Sequence, residues 1–143
     1  MFCSKMFQTL QNKGPFMKKF MLYHFPALLC VLGIIVASSL PGTFIKKYIS
    51  MVGSDKLVHA IVYAIFAALI FNSLLHIFQK MTCYHVALMT LGLVLVFSFL
   101  DELYQRRIPG RTSDVYDIIF DLLGAAVSVV LLSLVVSKYF RNY

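Results

Sequence analysis

Five of the six acidic residues of this 143-residue chain lie in one short stretch, between Leu100 and Gly124. They are Asp101, Glu102, Asp114, Asp117 and Asp121. Carboxylates move protons, bind hard cations and accept hydrogen bonds from polar headgroups. Apolar sequence borders the stretch on both sides, and ionisable groups beside lipid are costly unless they pair or line a polar cavity. The stretch therefore indicates a functional site, with an ordinary solvated loop between two membrane helices as the competing interpretation.

The composition is that of an integral membrane protein. Hydrophobic residues make up 60% of the chain and charged residues 13%, with a mean hydropathy of +0.83. Soluble domains carry about 25% charged residues. No basic soluble domain with interleaved aromatic residues is present, so nucleic-acid binding is not predicted. The three cysteines have no metal-binding or redox spacing.

Four apolar stretches predict an all-α membrane protein with four transmembrane helices in a small bundle. The predicted membrane domain covers residues 20–137, with spans at 20–40, 57–79, 81–100 and 118–137. A secretory signal peptide is the competing interpretation of the first stretch, but that stretch exceeds the typical 7–15 apolar residues. The uncharged run at 122–137 is too short to cross alone, so the fourth helix must begin near Asp117.

The orientation follows from the basic residues. The net charge is +7, and the predicted tail at 1–19 contains four lysines and no acid. A basic flank before the first helix favours the cytoplasmic side, and four spans return the short tail at 138–143 to that side. We therefore predict a multi-pass protein of the cytoplasmic membrane with both termini inside. All six acidic residues then lie at the outer face.

Three helices are expected to present polar residues at the same membrane depth. At the start of the second span, Asp55 and His59 are four residues apart and share a face with Tyr63 one turn deeper. Chance would scatter such residues around the helices.

The third and fourth predicted helices also carry polar residues that share one face. Glu102 and Gln105 share a face if the third helix continues one turn beyond the membrane. Asp117, Asp121 and Gly124 form a stripe whose small residue allows another helix to approach closely.

The number of carboxyl groups near the predicted cleft predicts a role for Arg111 as a cation. Glu102, Asp117 and Asp121 cannot all ionise in a cleft of low dielectric constant without a cation. Arg111 is therefore expected to be their ion-pair partner, whereas the neighbouring arginines at 106 and 107 are expected to anchor lipid headgroups. Glu102 is the predicted functional centre, with the imidazole of His59 across the cleft as a group that exchanges protons near neutral pH.

These residues resemble the signatures of the VanZ-like membrane proteins. The first signature is Asp55-Lys56-x-x-His59-x-x-x-Tyr63. The second is Asp101-Glu102-x-x-Gln105, then Pro109-Gly110-Arg111, then Asp117-x-x-x-Asp121-x-x-Gly124. The resemblance covers residues 54–130, more than half of the chain. Position 121, which is often Asn in that family, is Asp here.

The resemblance implies a bacterial cell-envelope protein connected with susceptibility to glycopeptides of the teicoplanin type. Three functions stay open: binding of a lipid or cell-wall precursor headgroup, a small membrane enzyme acting on a headgroup, or an ion-coupled carrier that uses Asp121. No nucleophile motif, glycine-rich phosphate loop or HExxH motif is present, so no metal ligands are predicted. A divalent cation as cofactor and a homo-oligomeric state also stay open. The predicted functional cluster comprises Asp55, Lys56, His59, Asp101, Glu102, Gln105, Arg111, Asp117 and Asp121.

Overall fold

The computed structural model describes residues 16–44, 55–111 and 113–141. Every element within these ranges that extends beyond a single turn is an α-helix, which confirms the predicted fold class. The helices are α1 (Phe16–Tyr23), α2 (Phe25–Ser39), α3 (Asp55–Ile77), α4 (Cys83–Gln105) and α5 (Val115–Arg141). Three of them, α3, α4 and α5, are long and apolar enough to cross a membrane, and the bent pair α1–α2 adds a fourth if it forms one span.

The predicted tails lie partly outside the described residues. Residues 1–15 of the predicted basic tail and residues 142–143 of the C-terminal tail are not described. Residues 16–19, which the prediction assigned to the tail, already belong to α1.

The first span is bent, which corrects the prediction of one continuous helix over residues 20–40. Helices α1 and α2 meet at an angle of 44° around His24. Pro26 follows the bend, and a proline lacks the N–H of the helical ladder while its ring clashes with the carbonyl four residues earlier. The ring of His24 is hydrogen-bonded through Nδ1 to Ser73 Oγ of α3 at 2.7 Å. This bond attaches the bend to the bundle.

Both helices that flank the acidic stretch reach into it. Helix α4 continues to Gln105, about one turn past the predicted limit at Leu100, and α5 begins at Val115, before Asp117. Asp114 forms the N-cap of α5, because its Oδ1 accepts a hydrogen bond from the backbone N–H of Tyr116 at 3.0 Å. The carboxyl groups of this stretch are therefore held on helical surfaces or at a helix start.

The inner faces of α4 and α5 repeat every four residues. On α4 the buried positions include Val86, Thr90, Val94 and Ser98. On α5 they are Asp117, Asp121, Ala125 and Val129. Four-residue spacing keeps side chains on one helix face, so each helix changes from apolar to polar along a single face. Large apolar side chains cover the outer surfaces, as expected of a lipid-facing surface.

Helices α3 and α5 form the most extensive contact in the bundle. A Cβ atom on Gly124 would overlap the carbonyl oxygen of Ala60, because the two backbones approach so closely there. Small residues permit this kind of approach between membrane helices. The same approach brings the polar residues of α3 next to those of α5, one turn further towards the acidic end.

We expect Gly124→Ala to lower the free energy of unfolding by about 1–3 kcal/mol, because the added methyl group forces α3 and α5 apart. Gly92→Ala is the matched control, since a Cβ there meets no atom within 4 Å. It should be neutral or stabilising by up to about 1 kcal/mol, because alanine favours the helix. Unfolding in detergent by increasing denaturant gives both values. Equal effects would contradict the close approach.

The predicted orientation has its own test. Pro109 and Gln79 are exposed and lie in loops at opposite ends of the bundle. In a background that lacks the native cysteines, Pro109→Cys should react with a membrane-impermeant thiol reagent in intact cells. Gln79→Cys should react only after the membrane is opened. The reverse pattern would invert the orientation.

Candidate functional site

Four carboxyl groups are buried at one end of the bundle. Asp101 and Glu102 lie in the last turns of α4, and Asp117 and Asp121 lie in the first turns of α5. These four residues are between 2% and 9% exposed. A buried carboxyl group without partners is strongly destabilising. Within the described part of the chain, no buried side-chain nitrogen or oxygen lacks a hydrogen-bond partner. The partners of these acids therefore define the site.

Asp121 is held from two helices. Its Oδ1 lies 3.1 Å from Nδ1 of His59 on α3, and its Oδ2 accepts a 2.5 Å hydrogen bond from Ser98 Oγ on α4. The His59 ring is nearly parallel to that of Tyr63, with centroids 6.4 Å apart. The carboxylate thus fixes the orientation of the imidazole and joins α3, α4 and α5 in one network.

Asp101 forms a second network with neutral donors. Its Oδ2 accepts hydrogen bonds from Tyr63 Oη at 3.3 Å and from Gln105 Nε2 at 3.0 Å. Gln105 also donates to Ser38 Oγ of α2 at 3.4 Å. The face shared by Asp101 and Gln105 follows from their spacing of four residues. This network connects α2 with α3 and α4.

Glu102 points to the loop before α5 instead. Its Oε1 accepts a 2.6 Å hydrogen bond from the backbone N–H of Asp114. A carboxylate that accepts a backbone N–H forms a short, charge-assisted bond. Glu102 therefore holds the start of α5 against the end of α4.

Lys56 forms ion pairs with two carboxylates at the start of α5. Its Nζ lies 2.7 Å from Asp114 Oδ2 and 3.3 Å from Asp117 Oδ1. The same ammonium group lies over the rings of Tyr116 and Phe120, at 5.3 and 5.9 Å from their centroids. Lys56 at the start of α3 thus neutralises the first turn of α5.

The ammonium of Lys56 and then the backbone N–H of Tyr116 hold the pKa of the Asp114 carboxyl below its usual range. A carboxyl group whose pKa is lower in the folded state stabilises the fold at pH values above its unfolded pKa. This contribution is lost as the pH falls through the lowered pKa. The Lys56–Asp114 pair is therefore intact at neutral pH.

The prediction that Arg111 forms an ion pair with the buried carboxylates is wrong. Among the described residues, no carboxylate lies within 4.0 Å of its guanidinium; the ion pairs of the cluster belong to Lys56 and His59. Arg111 instead donates to the carbonyl oxygens of Ala37 at 2.7 Å and Leu40 at 3.4 Å, and to Gln105 Oε1 at 3.4 Å. A cation at the last carbonyls of a helix complements the helix dipole. Arg111 therefore caps α2.

The loops after α2 and α4 touch through their Pro-Gly pairs. The backbone N–H of Gly42 donates to Pro109 O at 3.2 Å. A Cβ atom on Gly42 would overlap the carbonyl oxygen of Gly110. Gly110 itself has a φ of 76°, which glycine adopts without strain. This contact, which we call the Pro-Gly clasp, fixes the loop that carries Arg111 to the end of α2.

A cavity of about 150 Å³ lies between α2, α3 and the end of α4. Apolar residues of α2 and α3 form part of its wall. Its polar lining consists of Ser38, Asp55, His59, Tyr63, Asp101, Gln105 and Arg111. Glu102 is absent from the lining. The cavity therefore joins the Asp101 network to the face of His59 and to the exposed Asp55.

One set of described residues could hold a metal ion. Potential ligand atoms of Asp55, His59 and Asp117 all lie within 4.8 Å of one another. Asp55 and His59 lie one turn apart on α3, and Asp117 lies in the first turn of α5.

The structure places all nine predicted site residues at this end of the bundle. Eight of them take part in two hydrogen-bond networks and one ion-pair cluster, and Asp55 lines the cavity. The prediction missed three partners. Ser98 continues the four-residue repeat of α4, which is the signal that could have identified it. Asp114 stands before an apolar run, as an N-cap does. Ser38 carries no such signal, because only the folded chain brings α2 beside Gln105.

Apolar helices around a satisfied polar cluster define a small multi-pass membrane protein with a polar site at one end of its bundle. A family model described as VanZ/LLP1 matches residues 9–136. The chain belongs to the VanZ/LLP1 family, as the two signatures in its sequence indicate. Among curated proteins and among solved structures, no match to the chain was found.

The role of Lys56 predicts its effect on stability. Lys56→Met leaves Asp117 buried without its cation, so we expect the melting temperature to fall by about 5 °C or more. Arg106→Met is the matched control, because Arg106 is exposed and its described side-chain partner is Ser113. It should change the melting temperature by less than about 2 °C. Thermal unfolding in detergent, followed by size-exclusion chromatography, measures both. Equal falls would contradict the ion-pair role.

Proposed function

We propose that this protein binds the polar headgroup of a membrane-anchored molecule in the cavity at the acidic end of its bundle. The observation that supports this most directly is the cavity itself, which combines apolar walls with convergent polar groups at the end of membrane helices. Ligand sites are typically concave and mostly apolar, with a few polar groups that fix orientation. A lipid or a lipid-linked cell-wall precursor offers that combination.

The volume of the cavity limits the size of the ligand that it can bind. A cavity of about 150 Å³ can hold a group the size of benzene. That is enough for a phosphate with a short polar substituent. A whole glycopeptide antibiotic is far larger. Any effect on an antibiotic of this class therefore acts through a bound envelope component.

The charges of the lining favour a headgroup with groups of both signs. Arg111 is a donor suited to phosphate oxygens. Asp101 and Asp55 accept hydrogen bonds from amine or hydroxyl groups. Tyr63 and Gln105, which already bond to Asp101, keep that carboxylate in place. A zwitterionic or hydroxylated phosphate headgroup matches this arrangement.

Family membership supports a role in the bacterial cell envelope. With the orientation predicted from the basic flank, the cavity faces the outside of the cytoplasmic membrane, where cell-wall precursors are used. Binding of such a headgroup would change how much of the precursor or lipid a glycopeptide encounters. We infer that the chain lowers susceptibility to antibiotics of the teicoplanin type by this route.

A second candidate function is a small membrane enzyme that acts on the bound headgroup. His59 both lines the cavity and is oriented by Asp121. An imidazole held by a carboxylate is the usual arrangement of a general base. The carrier hypothesis has less support, because Asp121, its proposed ion site, is already bonded to Ser98 and His59.

We propose Asp101, rather than Glu102, as the functional centre, because Asp101 lines the cavity and Glu102 does not. Asp101→Asn keeps the shape and removes the charge inside the cavity, so the variant should fold and lose function. Glu102→Gln is the matched control, because it makes the same change at the next residue, outside the cavity, and its retained Oε1 can still accept the N–H of Asp114.

The test expresses each variant in a teicoplanin-susceptible Gram-positive host. The wild-type chain should raise the minimal inhibitory concentration of teicoplanin, Glu102→Gln should do so to within about twofold, and Asp101→Asn should not. Native mass spectrometry with added phosphatidylethanolamine should show bound lipid on wild type and about tenfold less on Asp101→Asn, a difference of about 1.4 kcal/mol. Loss of both effects in Glu102→Gln but not in Asp101→Asn would return the centre to Glu102.

A further inference from the structure

We propose that Asp55, His59 and Asp117 form a binding site for a divalent transition-metal cation of the Zn²⁺ or Mn²⁺ class. Their potential ligand atoms lie within 4.8 Å of one another. Around a tetrahedral cation, ligand atoms about 2.0–2.2 Å from the ion are separated from one another by about 3.3–3.6 Å. Ligand atoms at the 4.8 Å limit would therefore have to approach by about 1.2–1.5 Å, a movement that rotation of the exposed Asp55 side chain can provide.

The donor set favours a transition metal over Mg²⁺ or Ca²⁺. Carboxylate oxygens alone suit hard cations, whereas an imidazole nitrogen suits Zn²⁺, Fe²⁺ and their neighbours. Three protein ligands also leave at least one coordination position open, as in catalytic rather than structural zinc sites. Asp55 and His59 share one face of α3 through their four-residue spacing, and Asp117 faces them from α5.

The surroundings of His59 are a second and independent observation. A histidine that binds a metal commonly hydrogen-bonds through its other ring nitrogen to a carboxylate, which fixes the tautomer and orientation. Nδ1 of His59 is engaged by Asp121, which is itself held by Ser98. Asp121 is outside the three-residue ligand set. This contact leaves the second ring nitrogen available as a ligand.

The described carboxylates at this end of the bundle outnumber the described cations directed towards them. All six acidic residues of the chain lie here, and among the described residues the inward-facing cations are Lys56 and Arg111. Lys56 is shared between Asp114 and Asp117, and Arg111 is directed at carbonyl groups. In the described structure, no Lys, Arg or His forms an ion pair with Asp55. A divalent ion bound by Asp55 and Asp117 would offset this excess.

A bound cation would also act on the cavity, because Asp55 and His59 line it. Its open coordination position would then be available to an oxygen of the occupant. Together with Arg111, this favours a phosphate-bearing headgroup; this last step rests on the proposed function. Binding of the cation itself requires no headgroup, so the two proposals can fail separately.

The experiment uses the full chain in detergent, stripped with a chelator and free of added lipid. Titration with Mn²⁺, followed by electron paramagnetic resonance, should show one ion per chain, with nitrogen hyperfine coupling from an imidazole. Zn²⁺ should displace the Mn²⁺. Asp55→Asn and His59→Gln should each weaken binding at least tenfold, and the nitrogen coupling should disappear in His59→Gln. Asp55 is exposed, so the fold should tolerate its substitution.

Glu102→Gln is the matched control, because it removes one carboxylate from the same end of the bundle but not from the ligand set. It should bind Mn²⁺ to within about twofold of wild type. The proposal is overturned if neither Mn²⁺ nor Zn²⁺ binds, if Asp55→Asn binds as tightly as wild type, or if Glu102→Gln weakens binding as much as Asp55→Asn. The last outcome would indicate general attraction of cations to an acidic surface.

Discussion

A carboxyl group inside an apolar helix bundle is stable only when donors or a cation reach it, and four such groups here meet that condition together. No single helix supplies all the partners. Asp121 needs α3 and α4, while Asp101 needs α3 as well as its own helix, with Gln105 connecting it to α2. The packing of α2, α3, α4 and α5 at this end is therefore tied to the satisfaction of these acids. The close approach at Gly124 is what brings α3 and α5 near enough for His59 to reach Asp121.

The polar stripes were predictable because helical spacing alone decides which residues share a face. The four-residue intervals between Asp55 and His59, and between Asp117 and Asp121, place each pair on one face whatever the bundle does. Long uncharged runs likewise predicted the spans of α3, α4 and α5. The bend in the first span could have been predicted, since Pro26 lies inside the apolar run. The length of that run favoured one continuous helix instead.

The choice of partners could not be predicted in the same way. Lys56 and Arg111 both stand within reach of several carboxylates in the sequence, and charge arithmetic alone does not decide between them. Folding directs Arg111 to the end of α2, where backbone carbonyls lack partners, and places Lys56 beside Asp114 and Asp117. The contact between Gln105 and Ser38 is similar, because it joins residues that are distant along the chain. Such pairings depend on the packing of whole helices, which local spacing does not encode.

The bend and the Pro-Gly clasp mean that α2 is attached to the rest of the bundle mainly near its two ends. At one end, Pro26 weakens the helical ladder and His24 bonds to Ser73; at the other, α2 is fastened by the backbone bond from Gly42 to Pro109 and by the capping bonds of Arg111. Its inner surface forms one wall of the cavity. The Gln105–Ser38 bond is a further attachment of α2 to α4. Opening of these bonds would let α2 move away from the cavity, since α3, α4 and α5 hold one another through Asp121 and its partners. A headgroup could then enter sideways from the bilayer, with its acyl chains still in the lipid.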